Sequence, residues 1–223
     1  DVGAQLKDIS IRKTAGISSQ ISLKKAWETM KKLDVVTLPV TNRLGKLEGV
    51  IVTKDIATSY MDVYDNCILS VAGTPYKNIL ETLDAELLIG EPDAVFDKGE
   101  VVIAAANPDV MEDYIHQGDM VILGNRYESQ LCAIEMNAAC IIVCMGAKVS
   151  KTIQKLAQEH NCSIIVTPHD TFTIARMINQ SMPIKEFMTR EHLVTFDIDD
   201  YVDDVKETMS KIRHRDFPIL NKK

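Results

Sequence analysis

The sequence predicts a mixed α/β and α+β fold in which two copies of a small unit flank a larger α/β domain. The first observation is an internal repeat, since Glu28-Thr29-Met30 recurs as Glu207-Thr208-Met209 at an offset of 179 residues. The second is a middle stretch where apolar runs alternate with helical patterns, as in parallel sheets covered on both faces. The offset is far longer than a solenoid period. We therefore expect two copies that pack together, with a separate domain inserted between them.

Composition is typical of a globular protein, with 46% hydrophobic residues among 223 and a net charge of −7. This length and apolar content suffice for two or three small domains. The negative charge disfavours nucleic acid as a partner, because it repels a phosphate backbone. The sequence has neither an apolar run of about eighteen residues nor a signal-peptide pattern. We therefore expect a cytoplasmic chain without a membrane segment.

The cysteines are odd in number and mostly have apolar neighbours. They are Cys67, Cys132, Cys140, Cys144 and Cys162. The absence of a C-x-x-C pair argues against a zinc site, and the odd number argues against a disulfide framework. Free cysteine is among the most buried residue types, so we interpret these side chains as buried thiols.

The first copy is expected to begin with a strand near residues 15–18, followed by a helix that Ser22 caps. Apolar residues recur three or four positions apart along this helix, which predicts one buried face. Two strands are predicted next, at Val35–Val40 and Leu47–Val52, joined by a short turn. Thr53 is expected to cap a second helix. The local order is therefore strand, helix, strand, strand, helix.

The insert is expected to be a parallel sheet with helices on both faces. Its predicted strands are Leu87–Ile89, Val101–Ala105, Met120–Leu123, Ala139–Cys144 and Ile164–Thr167. Its predicted helix starts are Thr74-Pro75, Asn107-Pro108, Ser150 and Asp170. The insert contains no Gly-rich phosphate loop, and its histidines (His116, His160 and His169) lack H-E-x-x-H or triad spacing. We therefore expect no catalysis there.

The second copy is expected to begin around Ile184, and its first strand is predicted at His192–Phe196. Asp199 or Asp200 is expected to cap the next helix. The predicted buried face of that helix holds Val202, Val205, Met209 and Ile212.

A polar cluster, Arg213-His214-Arg215-Asp216, stands at the entrance to the last predicted strand. Guanidinium groups bind phosphate oxygens in a bidentate manner, so this cluster is a candidate phosphate site. The alternative is an exposed basic strand entrance. By the 179-residue offset Lys223 aligns with Leu44, so we expect the second copy to lack counterparts of residues 45–61.

Two motifs in the first copy resemble those of CBS domains, whose tandem pairs bind adenine nucleotides. One is Leu38-Pro39-Val40, and the other is Gly49–Asp55, which is similar to the family pattern G-h-h-T/S-x-x-D. Val52 stands at the T/S position and Thr53 follows it. The pattern has a physical logic, because an acidic residue inside a helix can accept the ribose hydroxyls while amides at that helix end face the phosphate.

The resemblance implies a nucleotide site built from both copies. Adenine is expected among Thr37, Leu38, Pro39, Phe217 and Pro218, ribose on Asp55, and phosphate near Lys54, Arg213 and Arg215. The complete set of candidate residues is Thr37, Leu38, Pro39, Thr53, Lys54, Asp55, Thr189, His192, Leu193, Val194, Arg213, His214, Arg215, Asp216, Phe217 and Pro218. The alternative is that Thr53 and Asp55 only cap their helix.

The segment Gly124–Glu128, followed by an apolar helix, resembles the junction that gives the DRTGG domain its name. Alternatively, Arg126 is a solvated loop residue. The order CBS, DRTGG-like, CBS resembles the regulatory region of CBS-domain-containing family II inorganic pyrophosphatases. The implied fold is a tandem CBS (Bateman) module with an inserted DRTGG-like domain. Its expected domains are 1–65, 66–182 and 183–223, the last one incomplete.

This resemblance implies regulation by adenine nucleotides, with AMP and ADP inhibiting and ATP or diadenosine polyphosphates activating. The sequence lacks a D-H-H metal motif, so we expect a regulatory chain without catalysis or a cofactor of its own. Manganese or cobalt is expected only in the catalytic part of such enzymes. A homodimer that contacts those catalytic domains is also implied. The alternatives are a structural dimerisation module without ligand and a freestanding α/β hydrolase.

Overall fold

The computed structural model describes residues 3–221, so Lys223 lies outside the described residues. The helices are α1 Leu23–Leu33, α2 Thr53–Met61, α3 Ile68–Val71, α4 Tyr76–Thr82, α5 Pro108–Met111, α6 Tyr127–Glu135, α7 Lys151–Glu159, α8 Thr171–Met177 and α9 Val202–Lys211. The strands are β1 Thr37–Thr41, β2 Leu47–Val52, β3 Thr74–Pro75, β4 Glu86–Ile89, β5 Val95–Phe96, β6 Val101–Ile103, β7 Met120–Leu123, β8 Cys140–Val143, β9 Ser163–Val166, β10 Phe196–Asp197 and β11 Ile219–Leu220. Across this described range, no helix has the length and apolar character needed to span a membrane.

The two predicted copies have the same strand pairing. In the first copy Ile17 pairs with Val40 in a parallel bridge, and at the 179-residue offset Phe196 pairs with Ile219 in the same orientation. Helices α1 and α9 also begin at equivalent positions. The repeat read from the sequence is therefore confirmed as a structural repeat.

The copies contact each other by exchanging their lead-in segments. In the exposed junction, the segment Ala4–Lys7 of the first copy pairs with Ile198–Val202. In the buried junction, Met182–Lys185 pairs with Ser19–Leu23. Each junction has three backbone hydrogen bonds of 2.8–3.0 Å, at equivalent positions. In the exposed junction they run from Leu6 N to Asp200 O, Lys7 N to Ile198 O and Val202 N to Ala4 O. In the buried junction they run from Ile184 N to Ile21 O, Lys185 N to Ser19 O and Leu23 N to Met182 O. This reciprocal exchange gives the pair an approximate two-fold symmetry.

Helix α1 forms as predicted. Ser22 Oγ accepts a hydrogen bond from Lys25 N at 3.0 Å, which satisfies one of the free amides of the first turn. The helix buries Leu23, Ala26 and Met30 against the antiparallel pair β1 and β2. The first predicted strand is reduced to the single bridge at Ile17.

The insert contains a five-stranded sheet in the order β4-β9-β8-β7-β6. Four strands are parallel, as predicted, but β4 lies antiparallel at the edge. Alternate residues of each strand face opposite cores: along β7, Met120 and Ile122 face one and Val121 and Leu123 the other. Burial on both faces explains why these strands are continuous apolar runs.

The insert and the first copy share one hydrophobic core, although the sequence predicted a separate domain. The cluster that contains Met30 and Leu38 of the first copy also contains Ile79 of α4, Leu83 directly after it and Ile142 of β8. An apolar pattern identifies a buried face but not its partner, so the sequence did not predict this shared core.

Helix α9 departs from the prediction because it has no fully buried residue. Met209 is 37% exposed, whereas its counterpart Met30 is 2% exposed. In the first copy the helix packs near a long strand pair and α2, but the described part of the second copy offers only the two-residue strands β10 and β11.

Two predicted helix caps are also wrong. Tyr201, and not Asp199 or Asp200, is the N-cap of α9, and Asp200 instead accepts a hydrogen bond from Asp197 N at 2.7 Å. The helix predicted to start at Thr74-Pro75 begins at Tyr76 instead. Pro75 is the N-cap residue of α4, because Thr74 and Pro75 form the short strand β3.

Candidate functional site

The amino end of α2 is held by the residues predicted to bind nucleotide. Asp55 Oδ2 accepts a hydrogen bond from Val52 N at 2.9 Å, and Thr53 N donates to Val36 O at 3.0 Å. The Thr53 hydroxyl also donates to Val36 O, at 3.3 Å. Thr53 is the first residue of α2 and not its cap. The capping alternative is therefore wrong for Thr53, whose hydroxyl stabilises the strand-to-helix connection by its contact with Val36 O.

Asp55 keeps one carboxylate oxygen outside this capping contact. The side chain is half-buried, and burial raises its pKa, although the hydrogen bond from Val52 N and the charge of Lys54 oppose the shift. A desolvated carboxylate forms stronger hydrogen bonds with a donor that approaches it. Asp55 therefore serves as a helix cap and remains a candidate acceptor for a ribose hydroxyl.

Strand β1 offers less side-chain surface than the sequence prediction assumed. Leu38 is completely buried in the core, so it can reach a ligand only through its backbone. Thr37 and Pro39 are half-buried, and Lys54 is exposed on the first turn of α2. The predicted adenine contacts in the first copy therefore reduce to Thr37, Pro39 and the backbone between them.

Thr189 brings the second copy next to β2. Val50 N donates to Thr189 O at 3.0 Å, and Thr189 N donates to Val50 O at 2.9 Å. A Cβ atom on Gly49 would lie 2.5 Å from Thr189 O, so the close approach of this backbone requires glycine. The glycine of the G-h-h-T/S-x-x-D pattern thus has a structural reason, which is contact with the other copy.

Two phenylalanines lie next to each other in the second copy, Phe196 on β10 and Phe217 just before β11. The rings of Phe196 and Phe217 meet edge to face with centroids 5.4 Å apart, and Phe196 N donates to Pro218 O at 3.1 Å. These contacts fix Phe217 and Pro218, which are half-buried. The connection from Thr189 runs through His192, which has a left-handed backbone with φ 54°. His192 and Val194 are exposed and Leu193 is half-buried.

The polar cluster Arg213-His214-Arg215-Asp216 is exposed between α9 and β11. Across residues 3–221 neither arginine forms an ion pair or a side-chain hydrogen bond, and none links the cluster to Lys54 or Asp55. Two uncommitted guanidinium groups in a chain of net charge −7 are suited to bind an anion.

Arg12 is a positioning residue that the sequence prediction missed. Its Nη1 donates to the carbonyls of Leu33 and Asp34, at 3.4 and 3.2 Å, at the carboxyl end of α1. This contact holds the chain just before β1. Arg190 in the second copy donates instead to Lys185 O at 3.1 Å, so the repeat gave no signal for the Arg12 contact.

Two surface depressions lie away from the predicted residues. One of about 360 Å³ is lined by Gly16, Ser18, Ser19, Thr41, Asn42, Arg43 and Glu48. The other, of about 200 Å³, is lined by Pro108, Glu112, Glu128, Leu131, Cys132, Glu135 and Met136. Neither of these two depressions is lined by a candidate nucleotide-binding residue.

The insert has no catalytic constellation among the residues that the structure describes. His116, His160 and His169 contact Asp119, Asn137 and Asp84, each in a connecting loop. Within positions 3–221, no three His, Cys, Asp or Glu side chains are placed to hold a metal ion. Arg126 is exposed before α6.

The cysteines are free thiols, and all but the half-buried Cys67 are buried. Burial raises the pKa of Cys162 to about 12, so this thiol stays protonated at neutral pH. The interpretation as buried thiols is therefore confirmed for Cys132, Cys140, Cys144 and Cys162.

Comparison with known proteins identifies the two domain types. The CBS domain model matches residues 6–62 and the DRTGG domain model matches residues 78–181. The crystal structure of the CBS and DRTGG domains of the regulatory region of Clostridium perfringens pyrophosphatase, in complex with its activator diadenosine tetraphosphate, is 38% identical. The superposition covers 98% of this chain and 95% of the Clostridium perfringens chain, with a TM-score of 0.92. The chain belongs to this family of pyrophosphatase regulatory regions.

The full-length relatives are considerably longer than this regulatory region. The cobalt-dependent inorganic pyrophosphatase of Clostridium perfringens is 38% identical over 221 residues, which are 99% of this chain and 40% of the relative. The probable manganese-dependent inorganic pyrophosphatase of Thermotoga maritima is 26% identical over 210 residues, 93% of this chain and 38% of the relative. The chain thus spans about two fifths of the pyrophosphatases that it matches. The tandem CBS fold with an inserted DRTGG domain is confirmed.

Proposed function

We propose that this regulatory region binds adenine nucleotides between its two CBS copies and thereby controls a cytoplasmic, metal-dependent inorganic pyrophosphatase. AMP and ADP inhibit, whereas ATP or diadenosine polyphosphates activate. The observation that carries the proposal is the similarity to a regulatory region whose crystal structure contains diadenosine tetraphosphate. The reciprocal junctions support it, because they place the residues of both copies in one connected unit. Manganese or cobalt belongs to the catalytic part and has no role in nucleotide binding here.

In this proposal the two copies supply different groups to one ligand. Asp55 accepts ribose hydroxyls, Pro39, Phe217 and Pro218 contact the base, and the exposed arginines bind phosphate. The full set of proposed binding residues remains the sixteen identified from the sequence, with Leu38 acting through its backbone. The division into domains at 1–65, 66–182 and 183–223 is proposed along with it.

The arginine contribution gives a first prediction. Replacing both Arg213 and Arg215 with alanine is expected to weaken binding of diadenosine tetraphosphate by about tenfold or more, since each charge-assisted contact contributes roughly 1.5–3 kcal/mol. Isothermal titration calorimetry at two salt concentrations measures this, and the variant's affinity should depend less on salt. Arg126→Ala, an exposed arginine in the insert, is the matched control. Equal affinities for the double variant and the control would remove the cluster from the site.

A ligand panel separates this function from its two alternatives. A binding module gains about 2.7 kcal/mol of stability at a ligand concentration one hundred times its Kd, which a thermal shift with AMP, ADP, ATP and diadenosine tetraphosphate would detect. A purely structural module responds to none of the four. A freestanding hydrolase releases phosphate from pyrophosphate in the presence of Mn²⁺, which this chain is expected not to do.

We also propose that the regulatory region forms a homodimer through α1 and α2, which pack against each other. These helices expose Trp27, Leu33, Tyr60 and Met61, and Met61 is 76% exposed. Clustered exposed apolar side chains of this kind indicate an interaction surface. Because a stable interface buries about 800 Å² on each partner, two neighbouring helices are an adequate platform.

The dimer gives a second prediction. Tyr60→Glu combined with Met61→Glu is expected to convert the dimer to a monomer, because two charges would have to be buried without partners. Sedimentation velocity measures the mass of each species. Glu substitutions at Phe172 and Met145, which are exposed on the insert, provide the matched control. A dimer that survives the α2 substitutions but not the insert substitutions would contradict the proposed interface.

A further inference from the structure

The two junctions between the CBS copies are equivalent in hydrogen bonding but not in burial. In the buried junction, Ser22, Met182 and Ile184 have at most 2% of their surface exposed. In the exposed junction Leu6 is also buried, at 3% exposed, but the side chains of Lys7 and Asp199 are 49% and 66% exposed, and Tyr201, the counterpart of Ser22, is 49% exposed. The insert contributes to this difference, because α4 contacts the buried junction through Asn78.

Asn78 of α4 holds the buried junction from the insert. The side chain is 6% exposed, and its amide nitrogen donates to Gln20 O at 2.8 Å and to Ser181 O at 3.1 Å. Gln20 lies within the first-copy segment of the junction, and Ser181 immediately precedes its second-copy segment. Both amide hydrogens of Asn78 are thus used to hold the two segments of the junction to α4. The hydrogen bonds are shielded from water, which makes their loss costly.

The exposed junction is crossed by a weaker contact. Lys7 Nζ lies 3.0 Å from Asp199 Oδ1, and both groups are well solvated. Exposed ion pairs of this kind contribute little to stability. Regions with few buried contacts open locally before the rest of a protein does.

We propose that the buried junction is a fixed pivot set by Asn78, and that the exposed junction is the one that opens. The body formed by the first copy, the insert and the buried junction stays rigid, while the rest of the second copy moves relative to it. Nucleotide binding then changes the distance between Asp55 on the body and the arginine cluster on the moving part. This last step rests on the proposed function, whereas the unequal strength of the junctions does not.

Amide hydrogen exchange of the whole chain without ligand, followed residue by residue by NMR, tests the pivot directly. Three matched pairs compare the buried with the exposed junction: Leu23 with Val202, Ile184 with Leu6, and Lys185 with Lys7. In each pair the first amide is expected to exchange at least about tenfold more slowly than the second, because only the exposed junction opens locally. Equal rates, or faster exchange at the buried junction, would overturn the proposal.

The Asn78→Ala variant tests the cause of the difference. Exchange at Ile184 and Lys185 is expected to accelerate by about tenfold, while Leu6 and Lys7 keep their wild-type rates. Lys77→Ala, at the exposed neighbouring position on α4, is the control and should alter neither junction. Acceleration at both junctions, or at neither, would exclude Asn78 as the clamp. If the variant does not fold, the wild-type comparison still decides whether the junctions differ.

Adding diadenosine tetraphosphate separates this inference from the proposed function. A ligand that joins the two copies should slow exchange at Leu6, Lys7 and Val202 more than at their buried counterparts. Unequal junctions together with no response to any adenine nucleotide would support the pivot and contradict the nucleotide site.

Discussion

A Gly49→Ala substitution is expected to lower the free energy of unfolding by about 2–4 kcal/mol and to loosen the contact between the CBS copies. The new Cβ would lie 2.5 Å from the backbone oxygen of Thr189, which cannot move aside like the end of a flexible side chain. Displacing this backbone breaks both hydrogen bonds that Thr189 forms with Val50. Chemical denaturation measures the loss of stability, and calorimetry measures the weaker nucleotide binding expected when Thr189 shifts.

Gly124→Ala is the matched control for this change. A Cβ at that position meets Cys144 Sγ at 4.0 Å, an ordinary contact, so the expected effect on stability is within about 0.5 kcal/mol. If the Gly49 variant were as stable as the Gly124 variant, the second copy would not depend on this close approach. The role of Thr189 as the connection between the halves of the site would then have to be abandoned.

The repeat could be recognised in the sequence because equivalent positions of both copies carry the same kinds of apolar side chain. Ser22 as a cap and the two strand segments after α1 predicted α1, β1 and β2 closely, and the apolar runs predicted β7 and β8. Each of these signals comes from side chains that face a core or cap a helix end. Where the determining contact is a side chain, residue type alone was informative.

The reciprocal junctions could not be predicted in the same way. Their hydrogen bonds join backbone groups, which every residue except proline carries, so residue identity gives no signal. Asn78 is another example, since its amide reaches carbonyls of Gln20 and Ser181 that are distant in sequence. Within the candidate site, the sequence correctly identified Asp55 as the carboxylate at the start of α2. The hydrogen bond from the Thr53 hydroxyl to Val36 O could not be predicted, because it depends on the fold.

Asp55→Asn is expected to reduce affinity for diadenosine tetraphosphate by roughly tenfold to a hundredfold while leaving the free energy of unfolding unchanged. Asparagine keeps an oxygen that can accept the hydrogen bond from Val52 N, so the cap of α2 is retained. It removes the negative charge, and a charge-assisted hydrogen bond from a ribose hydroxyl contributes roughly 1.5–3 kcal/mol. Asp55→Ala removes both contacts and is expected to cost about 1 kcal/mol of stability as well.

The pH dependence of binding separates the two roles of Asp55. Burial raises the pKa of Asp55, so the folded protein favours the protonated form, and ionisation above this pKa reduces stability. A ribose that binds the ionised form has full affinity above the raised pKa and loses affinity as the pH falls through it. Calorimetry across this range should therefore give a falling affinity for the wild type and a flat profile for Asp55→Asn. If both proteins gave the same profile, the Asp55 carboxylate would act as a helix cap without contacting the ligand.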